Sequence, residues 1–197
     1  MARQYEDSET RRLQVAQAAL QVIATEGAGR FTTRAVANRV GIGEGTLFRH
    51  FGSKEEIALA AMTLLEQELA ASLVETGDAM ADVEAFFRHR AAMVGQQSSV
   101  GRLIFSDELV HLAGEAGRAR IDGWRRRNVA WLIQRLVALQ AQGELRADVD
   151  AQMLATMVQG LLLTFAMQAS LGRAGSPAEV QARIELSWSS LLLLLKP

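Results

Sequence analysis

The sequence predicts an all-α protein, and three observations carry that expectation. Hydrophobic residues make up 49% of the 197 residues, only 2 are Pro, and Ala, Leu, Gln, Glu and Arg are abundant, which is the composition of strong helix formers. No sustained Val/Ile/Thr alternation of the kind a half-buried strand needs runs through it. Apolar residues recur instead at three- and four-residue spacing, in segments opened by Ser, Thr or Asp and closed by Gly. A chain of this length can bury a full core and hold one large domain or two small ones.

The first helix is expected from Ser8 or Glu9 to Glu26, with Leu13, Ala16, Ala19, Leu20 and Ile23 on one face and Gly27 at its end. Before it, residues 1–8 lack periodicity and are expected to form an idle mobile arm, although Arg3 could reach a minor groove. Phe31 is a plausible plug that pins the following Gly-Ala-Gly-Arg loop to a three-helix core. Thr32 or Thr33 can cap a short helix whose Val36, Ala37 and Val40 share a face, and Gly41 supplies the left-handed conformation that stops it. A second short helix over residues 44–51 places Leu47, Phe48 and Phe51 at packing distance. Ser53 with Glu56 is a capping box opening a long helix over residues 53–75. Two short helices at a steep angle, the second presenting Arg and His to solvent, are what entry into a DNA major groove requires.

Further helices are expected over residues 78–96, 100–112, 116–142, 148–171 and 177–195, with turns at Gly77, at Gly114 to Gly117 and at Gly143, and with Asp148 as a cap. In the third of these, Ile121, Trp124, Leu132, Leu136 and Leu139 mark a buried stripe, and Arg118, Arg125, Arg126 and Arg127 a wetter one. The last two helices are apolar around more of their circumference than a one-sided helix needs, and the run Leu191 to Leu195 points in every direction. A second copy packed through Leu161, Phe165, Trp188, Leu191, Leu194 and Leu195 would cover them. A buried helix of the monomer core is the alternative.

Composition bounds the rest. The absence of cysteine excludes disulfides and thiolate metal sites, and the cytoplasm is the compartment that fits best. The charged N-terminus does not read as a secretory leader. The longest apolar stretch, residues 161–167, is far short of the roughly 20 residues of a membrane span, so no membrane partner is expected. Of 21 Lys/Arg and 22 Asp/Glu, eight basic and five acidic residues precede Glu55, so a basic head is joined to an acidic body. That is the pattern of a DNA reader with a separate sensing domain, although small asymmetries are also common.

The matched pattern of Thr33, Val36, Ala37, Val40, Gly41, Ile42, Thr46, Leu47, Phe48, His50, Phe51, Ser53, Lys54, Glu55, Glu56 and Ile57 resembles the DNA-binding segment of the TetR family of transcriptional regulators. The resemblance covers only the first third of the chain. It implies a helix-turn-helix domain over residues 1–52, an all-helical ligand-binding and dimerisation domain over 53–197, a homodimer, an operator in double-stranded DNA and a small-molecule effector. Thr33, Thr46, His50 and Lys54 lie where the family contacts phosphates. Arg34, Gly43, Glu44, Gly45 and Arg49 lie where base edges can be met, Arg34 or Arg49 being the better candidate for a guanine.

Two residues depart from the family pattern. Phe48 stands where Tyr is usual, removing a hydroxyl from the phosphate contacts, and Glu44 stands where Ser, Lys or Gln is commoner. Glu44 reads equally as a partner for the helix dipole or as an acceptor for a cytosine amino group. In the body, Phe86, Phe87, Met93, Phe105, Trp124, Met157 and Phe165 are candidates to line a pocket for a small hydrophobic effector, and a repressor released by that effector is the expected activity. The alternatives are a ligand-independent DNA-binding or interaction protein of the same fold, or a helical metal protein built on Glu108 and His111. The last lacks the second Glu-x-x-His motif that a di-iron bundle would need. No Ser/His/Asp set, phosphate loop or HExxH motif is visible, and neither an enzyme activity nor a cofactor is expected.

Overall fold

The computed structural model describes residues 2–96 and 108–197. Every regular element among them is helical: α1 Ala2–Glu26, a 3-10 turn Ala28–Arg30, α2 Thr33–Val40, α3 Glu44–Leu47, α4 Lys54–Ala70, α5 Ala79–Gln96, α6 Glu108–Ala141, α7 Ala151–Ser170 and α8 Pro177–Leu195. The expected helix over 100–112 lies mostly outside the described residues, and Phe105 entirely so. The chain divides into two compact units. One comprises the described residues of Met1–Glu68 and Ser106–Asp122, the other those of Leu69–Phe105 and Gly123–Pro197. Their boundary falls inside α4 and inside α6, whereas the sequence reading placed it between residues 52 and 53.

In the first unit α1 packs on α2 and α2 on α3. The helix begins at Ala2 instead of at Ser8 or Glu9, because nothing between Ala2 and Thr10 breaks a helix: there is neither Gly nor Pro. Its core face is carried by Val15, Ala16, Ala19, Val22 and Ile23, while Leu13 is 46% exposed, contrary to the expected stripe. Phe31 and Phe51 are fully buried, the first as the expected plug.

Several helix ends follow from local chemistry. Asp78 accepts from the amides of Met80 (2.9 Å) and Ala81 (3.0 Å) and so opens α5. Ser176 and Glu179 form a reciprocal capping box at α8, with Pro177 in the first turn. Two ends differ from the expected ones. The cap of α7 is Asp150, which accepts from the amides of Gln152 and Met153. Asp148 is held by a bidentate pair to Arg146 (2.6 Å for each bond). α4 stops at Ala70, short of residue 75, because the carbonyl of Leu69 is taken by Ser72 Oγ (2.7 Å) and by Arg90 Nη2 (2.9 Å).

The second unit is centred on α5, which packs against α7 and α8. Phe87 stacks on Trp188 with centroids 5.7 Å apart and meets Phe165 edge-on at 6.4 Å. A Cβ at Gly95 would lie 2.9 Å from Val180 Cγ1, so glycine is what lets these helices approach. The predicted buried stripe of α6 is present, Ile121, Trp124, Leu132, Leu136 and Leu139 all being buried, and the helix is broken at Gly114 (φ 64°, ψ −153°) within the expected turn.

The leucine run resolves asymmetrically: Leu191 and Leu195 are 6% exposed, and Leu193 and Leu194 are 81% and 70% exposed. Phe165 and Trp188 also belong to this unit's own core. Of the six residues expected at a dimer interface, these four therefore face inward, and Leu161 and Leu194 retain exposure. Met153, Met157 and Met167 of α7, with Leu171 just past its end, are exposed at helical spacing along one face, Leu163 is exposed beside them, and Leu186 and Leu193 share a face on α8. α7 is also, by length and composition, apolar enough to cross a membrane (20 residues, mean hydropathy 1.3), which the sequence reading did not register. Leu154, Val158, Leu162 and Phe165 are buried in the unit's core.

Candidate nucleic-acid interface and effector cavity

The surface from Thr32 to Ser53 is built by short-range bonds. Thr32 is the cap of α2, its hydroxyl accepting from Ala35 N at 3.0 Å. That leaves the hydroxyl of Thr33 to donate to Glu44 Oε2 (2.9 Å), tying the start of α2 to the start of α3. At the other end of α2, Gly41 adopts φ 76°, Gly41 N donates to Asn38 O (3.2 Å) and Ile42 N to Ala37 O (3.0 Å). This Schellman closure turns the chain sharply into α3. The carbonyl of Gly43 accepts from Thr46 N and Leu47 N, so α3 starts at once.

The α3 helix itself is one turn long, and residues 48–50 continue as hydrogen-bonded turns instead of the expected full helix to residue 51. Leu47 and Phe51 point into the core, but Phe48 is 49% exposed, contrary to the expectation that all three would pack. None of the ten expected contact residues is buried: Arg34, Gly43, Gly45, Phe48 and Arg49 are exposed, and Thr33, Glu44, Thr46, His50 and Lys54 are half-buried. Arg34 Nε stands 4.0 Å from Glu44 Oε1, a distance at which an exposed pair restrains little. A Cβ added at Gly43 or Gly45 would meet nothing within 4 Å, and neither residue has positive φ. Neither packing nor backbone conformation requires glycine at those two places.

One brace was not anticipated. Arg12 of α1 donates to the carbonyl of His50 and to Glu56 Oε1 (2.8 Å) and stands 4.3 Å over the ring of Phe51. Glu56 also accepts from Gly52 N (2.7 Å), and Ser53 Oγ accepts from Glu56 N (3.1 Å). The capping box thus closes onto Gly52 instead of onto Ser53. The bond from Arg12, then the Gly52 amide, hold the Glu56 carboxyl below the ordinary glutamate range. Lys54 Nζ lies 5.2 Å over Phe31, and Ser8 Oγ lies 3.4 Å from His50 Nδ1.

In the second unit a cavity of about 270 Å³ is lined by Phe86, Arg90, Trp124, Arg125, Asn128, Val129, Leu132, Gln159 and Leu162. Two of the expected pocket residues, Phe86 and Trp124, are on its wall. Of the other described ones, Phe87 and Phe165 are core partners of each other, and Met157 is 47% exposed on α7. Met93 is half-buried away from that lining. Among the described residues no group of three His, Cys, Asp or Glu is placed to hold a metal ion.

Residues 16–61, the segment that builds this surface, match the family model for bacterial regulatory proteins of the tetR family. Among curated proteins, nucleoid occlusion factor SlmA of Marinomonas sp. (strain MWYL1) is 30% identical over 115 residues, 56% of this chain and 57% of that protein. SlmA of Vibrio campbellii (strain ATCC BAA-1116) is 40% identical over 60 residues, 30% of this chain and 31% of that one. The chain therefore spans about half, or less, of the length of these relatives. Over nearly the whole fold it resembles the ketosteroid transcriptional regulator KstR2 of Mycobacterium tuberculosis, with TM-score 0.75, 19% identity and 95% of each chain covered. It also resembles AibR in complex with isovaleryl coenzyme A and operator DNA, with TM-score 0.65, 20% identity, and 83% of this chain and 96% of that one covered. At such identities the structural likenesses establish the fold. Residues 16–61 thus carry the helix-turn-helix segment of the tetR family of bacterial regulatory proteins, and the remaining helices share the fold of the solved regulators.

Proposed function

We propose that the chain is a sequence-specific, dimeric DNA-binding transcriptional regulator, a repressor released from its operator by a small effector bound in the cavity of the second unit. The observation that carries this reading is the exposed, sharply turned surface from Thr33 to Lys54, in which Leu47 and Phe51 anchor the backbone and polar groups and glycines face outward. Hydroxyls of Thr33 and Thr46, His50 and Lys54 suit phosphates, and Arg34, Glu44 and Arg49, beside the open backbone at Gly43 and Gly45, suit base edges.

Two copies would present two such surfaces about 34–36 Å apart, one turn of DNA. The exposed apolar stripes of α7 and α8 support that pairing. In a bacterial cell the site of action would be the cytoplasm, with the DNA. AibR, a relative in fold, was solved with an acyl coenzyme A and operator DNA, which supports the effector-responsive reading by analogy.

Likeness to nucleoid occlusion factors favours a second reading, a DNA-binding protein of the same fold that responds to no small molecule. Selection of genomic fragments by the purified full chain, followed by binding titrations on the enriched sequences, tests both. Enrichment of one or a few two-fold symmetric sites supports an operator-specific regulator. Sites dispersed through the genome favour the second reading, and failure to enrich any sequence refutes the proposal.

A further inference from the structure

The cavity of the second unit contains a charge without a counter-ion. Arg90 of α5 is 6% exposed. Its Nε donates to Ser72 Oγ (2.6 Å), and Nη2 donates to Leu69 O (2.9 Å) and to Asn128 Oδ1 (2.7 Å). All three acceptors are neutral. The guanidinium also lies 5.2 Å from the ring of Phe86 and 5.2 Å from that of Trp124. Among the described residues no carboxylate pairs with it and nothing bonds its Nη1. Burial alone lowers its pKa to about 10, so it remains charged at neutral pH. The other buried charge among the described residues, Asp82, is treated differently: Arg135 lies 3.5 Å away, and the amide and hydroxyl of Thr76 each donate to it at 2.8 Å.

A second donor on the same wall is also unsatisfied. Trp124, 7% exposed, has its indole Nε1 buried with no hydrogen-bond acceptor. Asn128 cannot turn to serve it, because its Nδ2 donates to Trp124 O (2.8 Å) while its Oδ1 faces Arg90. A buried cation without a counter-ion and a buried indole N–H without an acceptor each carry a desolvation cost that an acceptor-rich anion would relieve. The rest of the wall joins apolar Phe86, Val129, Leu132 and Leu162 to polar Arg125, Asn128 and Gln159, and about 270 Å³ is slightly below the roughly 300–1,000 Å³ of common small-molecule sites.

We infer that the cavity binds a small organic acid, with its carboxylate on Arg90 and the indole N–H of Trp124 and its apolar body against Phe86, Leu132 and Leu162. The inference rests on the reading of this cavity as the effector site, and it supplies the chemical class of the effector. It also supplies a route for the response. Arg90 holds the Leu69 carbonyl and Ser72 where α4 ends, and α4 begins at Lys54 beside the DNA-facing turn. A carboxylate competing for the guanidinium loosens that anchor.

The test uses the full-length chain, titrated by calorimetry with aliphatic and aryl monocarboxylates, octanoate and phenylacetate first, each paired with its carboxamide. Acids should bind about tenfold or more tightly than their amides, the value of a charge-assisted hydrogen bond over a neutral one. Arg90→Met, which keeps the apolar stem, should remove that preference; should it fail to fold, the acid and amide pairs on the wild type decide alone. Equal affinities, or a preference that persists in a folded Arg90→Met, overturn the inference. Amides that bind and release operator DNA where acids do not overturn it while leaving the effector reading intact. Operator binding with no saturable binding of any compound overturns both.

Discussion

Replacing Arg12 by Met removes the brace between α1 and the end of the DNA-facing turn while keeping an apolar stem of similar reach. Three contacts are lost: the ion pair to Glu56 at 2.8 Å, the bond to the carbonyl of His50, and the contact with the ring of Phe51 at 4.3 Å. The pair is 43% and 42% exposed, so solvent screens it to about 0.2–1 kcal/mol. The carbonyl bond contributes about 0.5–1.5 kcal/mol net and the ring contact about 0.5–1 kcal/mol. Glu56 is not stranded, because Gly52 N still donates to it at 2.7 Å. The loss is therefore roughly 1–3 kcal/mol, or about 5- to 150-fold in a local opening equilibrium. With two compact units a single global transition is a poor gauge. Hydrogen exchange at the Phe51 amide, bonded to Leu47 O at 3.1 Å, is the direct assay.

The same variant should raise the Glu56 pKa, since Arg12 is the first cause of its depression. A carboxylate whose folded pKa is lowered stabilises the fold above its unfolded pKa, and that contribution is lost as pH falls through the folded value. The stability gap between wild type and Arg12→Met should thus narrow below about pH 4. Unchanged Phe51 protection at neutral pH would refute the brace.

Lys54→Ala should weaken binding to every DNA sequence alike and flatten the slope of log affinity against log salt by about one per contact, as titrations at several salt concentrations would show; an effect confined to one operator would make Lys54 a base reader. For Glu44→Gln, which can keep the bond from Thr33, binding across single-base operator variants should lose roughly 1–3 kcal/mol of discrimination at one base pair per half-site, and parallel profiles for the two proteins would eliminate base reading. Leu186→Glu with Leu193→Glu places charges on exposed positions of α8 and should convert a dimer to a monomer with unchanged helicity. A sedimentation profile still showing the dimer would move the interface elsewhere. Deleting residues 177–197, or charging Leu191, would instead remove core groups such as Trp188 and Leu191.

The DNA-facing segment was legible because its determinants are local. Thr32, Gly41 and Ser53 act on amides or carbonyls within a few residues, and such bonds leave a sequence signature. Where two residues of one type compete nearby, the signature fails: Asp148 and Asp150 both resemble caps, and only the Arg146 pair removes the first. The leucine run at the end of α8 has no periodicity at all, so which members face inward is decided by packing in the second unit. Arg12 and Arg90 could not be singled out among the 21 basic residues, since their partners lie 18 to 44 positions away. Burial of a guanidinium is a property of the assembled core. Phe86 and Trp124 line the cavity while Phe87 and Phe165 pack in the core, a difference their sequence spacing does not carry, because aromatic side chains are common in both places.

Gly43 and Gly45 have open space where a Cβ would stand and ordinary backbone angles. Most positions on a folded protein that touch a partner are also held by neighbours, so altering the contact risks the fold. These two are released from that conflict. A side chain introduced there starts with no steric debt to the protein, and at Gly45, inside α3, most residues should raise helix propensity over glycine by several tenths of a kcal/mol. Changes of operator preference at this edge of α3 would therefore leave the folding margin intact, so a lineage of such proteins could drift between operators through single substitutions without compensating changes in the core.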